Sequence, residues 1–322
     1  MYKVIDCHCD LLSYLSEDTL RSPQDAASRA SYPQQTAGGV YIQTLAIFTQ
    51  TRPGSTQLAQ KQVDLFKNLP RQYPLYYSHF CDKTPSSTIQ VIAAIENASG
   101  FAEEIEPITT SLARLEKMHA ILKNILYISL TWNEENRFGG GNETDIGLKD
   151  NGKRLLEWMQ GKHIAIDFSH TSDRLAEEIL NYIDQQNLKL QVLASHSNFR
   201  SVTSMARNLP DWLAQEIIKR KGVIGLNLFG PFIHPTDPAA LIHHIECALA
   251  LKGEDALCFG ADFFHAADFP ALKAKYNMEN PFFPVYSDAS CYPFILEKLK
   301  IPDDQIKKIA SENALHFIKR LG

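Results

Sequence analysis

Short apolar, β-branched runs recur along the chain, and stretches with helical periodicity lie between them. The runs are KVIDCHCD (3–10), GVYIQTLAIFT (39–49), IQVIAAIENA (89–98), NILYISLTW (124–132), HIAIDFSH (163–170), KLQVLASHS (189–197), GVIGLNLF (222–229) and ALCFGADF (256–263). Most are nearly continuous in apolar residues, as parallel strands covered on both faces should be. The intervening segments, such as DNGKRLLEWMQG, TSDRLAEEILNYIDQQ and LPDWLAQEIIKRKG, are amphipathic. Gly161 and Gly222 stand where helix C-caps would fall. Eight strands alternating with helices predict an α/β fold, the (β/α)8 TIM barrel. A doubly wound sheet could also use eight strands. That fold usually carries a phosphate-binding glycine fingerprint after its first strand, and DCHCDLL is not one.

No solenoid repeat, low-complexity tract or interdomain linker interrupts this pattern, so residues 1–322 are expected to form a single domain. Two long loops are expected at the C-terminal rim, where barrel enzymes hold their active sites. One covers roughly residues 11–38; the other follows the eighth strand and includes NPFFPVYSDASCYPF. Gly139-Gly140-Gly141 reads as a mobile rim loop, and it lacks the following Lys-Ser/Thr of a phosphate cradle.

Composition narrows the functions. A net charge of −5 gives no electrostatic reason to expect nucleic acid or an acidic membrane as partner. No apolar stretch is long enough to span a bilayer. MYKVIDCHCD has no signal-peptide pattern and HFIKRLG no lipid-anchor signal, so a cytoplasmic protein without a membrane anchor is expected. Six cysteines (Cys7, Cys9, Cys81, Cys247, Cys258, Cys291) are scattered without a metal-binding spacing and read as free thiols.

The chemistry lies where the apolar runs end. His8 and Asp10 end the first strand, Glu96 the third, Asp167 and His170 the fifth, His196 the sixth and Asp262 the eighth. Strand alternation would send His8 and Asp10 to one side and Cys7 and Cys9 to the other, outward against the helices. Each of these polar residues alone is ordinary. Three histidines and several carboxylates at one height on different strands form the donor mixture that zinc takes in hydrolytic sites.

These residues also sit in motifs of a known family. IDCHCDLL, AIENASG, LTWNEEN, DFSHTSD, ASHSNFRSVTSMARNLPD, FGADF and the closing SCYPFILEKL…IKKIASENALHFI resemble the membrane (renal) dipeptidase family, peptidase family M19, along nearly the whole chain. The spacing from His196 to Arg207 is the most specific part. The resemblance implies a metallo-dipeptidase with two zinc ions. His8 and Asp10 would bind one ion and His170 and His196 the other, with Glu96 bridging, while Arg207 and Asp262 face the substrate. Two positions depart from the family pattern. Trp132 stands where well-known members have a histidine that helps hold substrate and the developing oxyanion, and Phe264 replaces an acidic residue.

Hydrolysis at neutral pH needs an acidified water and a stabilised oxyanion, which a two-metal site supplies. Asp262 is the candidate general base, and Arg207 has the planar fork to read a substrate carboxylate. If Trp132 leaves a donor vacancy, Asn133 and Asn136 are the nearest substitutes. The expected partner is a small dipeptide, including dipeptides with a C-terminal D-residue; a homodimer is left open. Two other readings stay beside this one: a binuclear amidohydrolase acting on a lactam, cyclic amide or ester, and a weakly active metal-binding relative.

Overall fold

The computed structural model describes residues 2–80, 88–268, 270–276 and 280–322, with only the backbone of Lys273. Its strands are β1 (Val4–Cys9), β2 (Val40–Phe48), β3 (Tyr77–His79), β4 (Ile89–Glu96), β5 (Ile125–Ser129), β6 (Ala165–Asp167), β7 (Val192–Leu193), β8 (Ile224–Leu226) and β9 (Leu257–Phe259). All named pairings are parallel. They run in the order β7-β6-β5-β4-β2-β1-β9-β8. A bridge between Ala194 and Ile224 joins the two ends and closes a (β/α)8 TIM barrel. The eight apolar runs are its eight strands. The short β3 was not foreseen; it pairs alongside the start of β4, Tyr77 opposite Ile89, and three residues are too few to show a period.

Each helix buries one stripe against the strands. In Asp173–Gln185 the stripe is Leu175, Ile179 and Ile183, and Ser172 starts the helix by accepting a hydrogen bond from the Leu175 N–H at 2.9 Å. Inside the barrel a second cluster joins Ile5, Cys7, Ile92, Ala94, Leu193 and Cys258 to Phe317 and Leu321 of the C-terminal helix Asn313–Leu321. That helix closes the lower end. Among the described residues no helix is long and apolar enough to cross a membrane.

Several local expectations are corrected. Cys7 and Cys9 do not share a face: Cys7 is inside the barrel, 3.8 Å from the Cys258 sulfur, while Cys9 packs in the outer layer. Between Asp6 and Cys9, β1 carries one residue more than β2, whose matching positions are Gln43 and Leu45. Such a bulge breaks the alternation and re-aims the side chains around it. The described cysteines are free; Cys81 lies outside the described residues.

Residues 11–38 are not one long loop, since they hold helices Leu11–Glu17 and Tyr32–Ala37, the second begun by a Ser31/Gln34 capping box. Gly139-Gly140-Gly141 is buried and packed rather than a loose rim loop; a Cβ on Gly141 would lie 1.9 Å from the Trp132 carbonyl oxygen. Gly161 is a left-handed cap as expected, with φ 75°. Near Gly222, Lys221 takes the left-handed conformation instead. Gly222 is there because a Cβ would meet the Val192 carbonyl oxygen at 2.3 Å.

Candidate metal centre

The C-terminal ends of β1, β4, β6, β7 and β9 meet at one mouth of the barrel. His8 lies on β1, Asp10 follows it, and Glu96 is the last residue of β4. His170, His196 and Asp262 stand on the segments after β6, β7 and β9. His170 and Asp262 hold left-handed backbone, with φ 69° and 63°. Left-handed backbone is uncommon outside glycine, although Asp and His adopt it more readily than most residues. Both residues also lie beyond the reach of strand alternation.

The ligand atoms converge closely. His8 Nε2 is 3.2 Å from Glu96 Oε2, 3.6 Å from Asp262 Oδ1 and 4.0 Å from Asp10 Oδ2. His170 Nε2 is 3.0 Å from both Glu96 Oε1 and His196 Nε2, and His196 Nε2 is 3.6 Å from the same Glu96 oxygen. Three overlapping triads have donor atoms close enough for one ion each: His8/Asp10/Glu96, Glu96/His170/His196 and His8/His196/Asp262. Glu96 belongs to two of them, one oxygen toward each histidine group.

The neighbours of each ring decide which nitrogen faces the cluster. His8 Nδ1 is 2.7 Å from the Tyr127 hydroxyl, whose proton goes to the Cys7 carbonyl at 3.2 Å. His196 Nδ1 is 2.6 Å from the Ser195 hydroxyl, which donates to Asp167 at 2.7 Å. His170 Nδ1 lies 2.9 Å from Asn133 Oδ1, an acceptor. All three rings therefore donate from Nδ1, and in the neutral tautomer each presents an Nε2 lone pair to the same point. His8 Nε2 and Asp10 Oδ1 are buried without a hydrogen-bond partner, which leaves both open to a cation. With the rings neutral, these lone pairs and the Glu96 oxygens face one another across 3.0–3.6 Å, an arrangement that a bound cation would stabilise.

The electrostatics of the protein alone agree. Burial opposes charge on His8, yet Glu96, Asp10 and Asp262 outweigh it and lift the ring to about 10. Burial, with the Arg207 charge, holds His170 down to about 3 and His196 well below its usual value. Asp262 is raised to about 6, chiefly by burial, against the pull of His8 and Arg207. Such divergent shifts in one cleft mark a site built for charge.

Above the cluster a narrow cleft opens to solvent. Asp10, Glu96, His170 and Asp262 form its floor. Phe48, Trp132, Phe229, Phe232, Phe264 and Tyr276 contribute rings to its walls. Trp132 thus lines the cleft, as does Phe264. Arg207 is buried beside the cluster but does not line the cleft. Its guanidinium donates to Ser197 Oγ at 2.7 Å and to the His196 carbonyl at 2.9 Å, and it lies 5.4 Å from the Phe232 ring. Its Nε has no hydrogen-bond partner.

Asn136 is no substitute donor: it is buried and occupied by Asn97, the Leu130 carbonyl and the Phe138 N–H. Asn133 does line the cleft, but its carbonyl oxygen orients His170. Sequence reasoning missed Tyr127, Ser195 and Asp167 as supports of the ligand rings, and Asn227, which donates to Asp262 Oδ2 at 2.9 Å. Ser195 and Asp167 could have been suspected from their places beside and near ligands. Tyr127 left no signal within its apolar run.

The chain resembles known proteins in sequence and in fold. The chain is 26% identical to an uncharacterized dipeptidase of Schizosaccharomyces pombe, covering 71% of the chain and 55% of that protein. It is 25% identical to an uncharacterized protein in the pqqA 5′ region of Klebsiella pneumoniae, over 54% of the chain and 65% of the relative. The matched part thus spans just over half to about two thirds of these relatives' lengths. A metallo peptidase from Rhodobacter sphaeroides, solved with a phosphinate mimic of the dipeptide L-Ala-D-Ala, shares the fold with a TM-score of 0.82 at 17% identity, over 100% of this chain and 99% of that one. The model of the membrane dipeptidase family, peptidase family M19, matches residues 1–321, and the chain belongs to that family of metallo-dipeptidases.

Proposed function

We propose that this protein hydrolyses the peptide bond of free dipeptides at a two-zinc centre. His8 and Asp10 would hold one ion, His170 and His196 the other, and Glu96 would join them. The observation that carries the reading is the convergence of three Nε2 lone pairs on the two oxygens of one buried carboxylate. When bound, the ions would lower the pKa of a water from 15.7 to about 7 and polarise the scissile carbonyl.

The chain's own groups account for the rest. Asp262 lines the cleft with Oδ2 held by Asn227 and Oδ1 turned to the cluster, so it can take a proton and pass it to the leaving amine. Arg207, a buried cation with no ion pair among the described residues, lies behind the cleft lining, where it lends positive potential to a substrate carboxylate rather than a direct contact. Burial of the floor groups keeps bulk water from competing for those charges. The ligand of the Rhodobacter protein is the reason to include dipeptides with a C-terminal D-residue.

The test joins metal analysis to a panel of free dipeptides, N-acetylated dipeptides and tripeptides. About two divalent ions per chain after zinc reconstitution are expected, with loss of activity on chelation. Free dipeptides, including L-Ala-D-Ala, should be cleaved and the blocked or longer peptides poorly. A single ion per chain argues against Glu96 as a bridge. Equal turnover of blocked and free substrates argues against recognition of both termini. Asp262→Asn should lower kcat by roughly 10²–10⁴-fold.

A further inference from the structure

We infer that the preferred dipeptides carry apolar side chains, at least one of them aromatic, and that acidic side chains are rejected. This rests on the dipeptidase reading and adds the substrate class to it.

Two aromatic groups rise from separate arcs of the barrel. On the β2–β4–β5 arc, Phe48 and Trp132 meet edge to face with ring centres 5.3 Å apart, and Trp132 lies 6.1 Å from the His170 ring. On the β8–β9 arc, Phe229 packs on Phe264 at 5.8 Å and on Tyr276 at 5.2 Å. Both groups line the same cleft as Asp10, Glu96 and Asp262. Adjacent Cα atoms of a dipeptide are 3.8 Å apart and their side chains can point apart. A scissile bond centred over the floor therefore sends one side chain toward each group. Rings offer such side chains burial and edge-to-face contacts.

Charge supplies the rejection. Among the described residues that line the cleft, His170 alone can carry positive charge, and its Nε2 already faces Glu96. Arg207 lies behind the lining beside the Phe232 ring, hydrogen-bonded to Ser197 and the His196 carbonyl. An acidic side chain directed at either group would thus be buried against rings, with no cation among the described lining residues to pair with it.

The experiment measures kcat/KM of the zinc-reconstituted protein on Phe-Phe, Leu-Phe, Gly-Gly and Asp-Asp. Phe-Phe or Leu-Phe should exceed Gly-Gly by about 10-fold or more, with Asp-Asp the poorest. Trp132→Ala and Phe264→Ala should each shrink the aromatic preference by about 10-fold, while Trp132→Phe retains it. Trp132 is partly exposed, so its variants decide the matter even if Phe264→Ala folds poorly. Cleavage of Gly-Gly or Asp-Asp as good as that of Phe-Phe overturns the inference and leaves the dipeptidase reading standing. If no dipeptide is cleaved, that reading fails, and calorimetric binding of the same four peptides still decides specificity. Tighter binding of Phe-Phe upholds the inference; equal or absent binding overturns it.

Discussion

Low in the barrel, Ile5 and Cys7 of β1, Ile92 and Ala94 of β4 and Cys258 of β9 fill the interior against Phe317. Further along the same strands and their extensions stand His8 and Glu96, equally sheltered but polar, and Asp262, partly open to the cleft. The lower half is held by burial and close packing, and any apolar group of similar volume would serve. In the upper half each ring is held by a named partner on its far nitrogen and presents its near one to the proposed metal centre. Substitutions below should therefore register in stability, and substitutions above in metal content and rate.

The largest effect should come from Glu96→Gln. The amide cannot hold charge between the two histidine groups, so activity should vanish and metal content fall to one ion per chain or fewer. Metal analysis beside far-UV circular dichroism separates this from unfolding. Full metal content in this variant would remove Glu96 from the bridge. Phe317→Ala should do the opposite. It opens a cavity at the closed end, costs about 3–5 kcal/mol in denaturant unfolding, and leaves zinc stoichiometry unchanged in the folded fraction.

Tyr127→Phe sharpens the contrast, because the ring of Tyr127 belongs to the lower cluster while its hydroxyl orients His8. Metal affinity should weaken about 10–100-fold with the fold intact, read by chelator competition. An unchanged affinity would mean that the bulge in β1 alone orients His8. The smallest effect concerns pH. His8 without metal keeps its proton up to about 10, and that proton must leave before Nε2 can bind an ion. Falling pH should weaken binding, by up to about tenfold per unit for one displaced proton. Titration calorimetry in two buffers of different ionisation enthalpy should detect the released proton at neutral pH; identical heats would contradict it.

The two halves also differ in how much of them the sequence disclosed. The apolar runs placed all eight barrel strands, and their polar ends named the six groups that meet at the mouth. Alternation then failed at Cys7 and Cys9, since the extra residue in β1 is set by its pairing with β2. Asn136 was suggested by proximity along the chain, yet its hydrogen bonds hold Asn97 and the loop of Phe138. Arg207, proposed to act on the substrate carboxylate, is held beside Phe232 by Ser197 and the His196 carbonyl, contacts that no local pattern discloses.

By itself, the sequence determined the barrel and the donor types at its rim, because strand and helix periods and the identity of ligand atoms are local properties of the chain. Only the tertiary structure decided which nitrogen of each ring faces the cluster, which side of β1 each cysteine takes, and which aromatic rings share the cleft. Those outcomes depend on partners far away in sequence. Tyr127 reaches His8 across 119 positions, Asn227 reaches Asp262 across 35, and Phe229 meets Phe264 only because β8 and β9 are neighbours in the closed sheet. A hydrogen bond is decided within a few tenths of an ångström, and no one-dimensional pattern carries distances that fine.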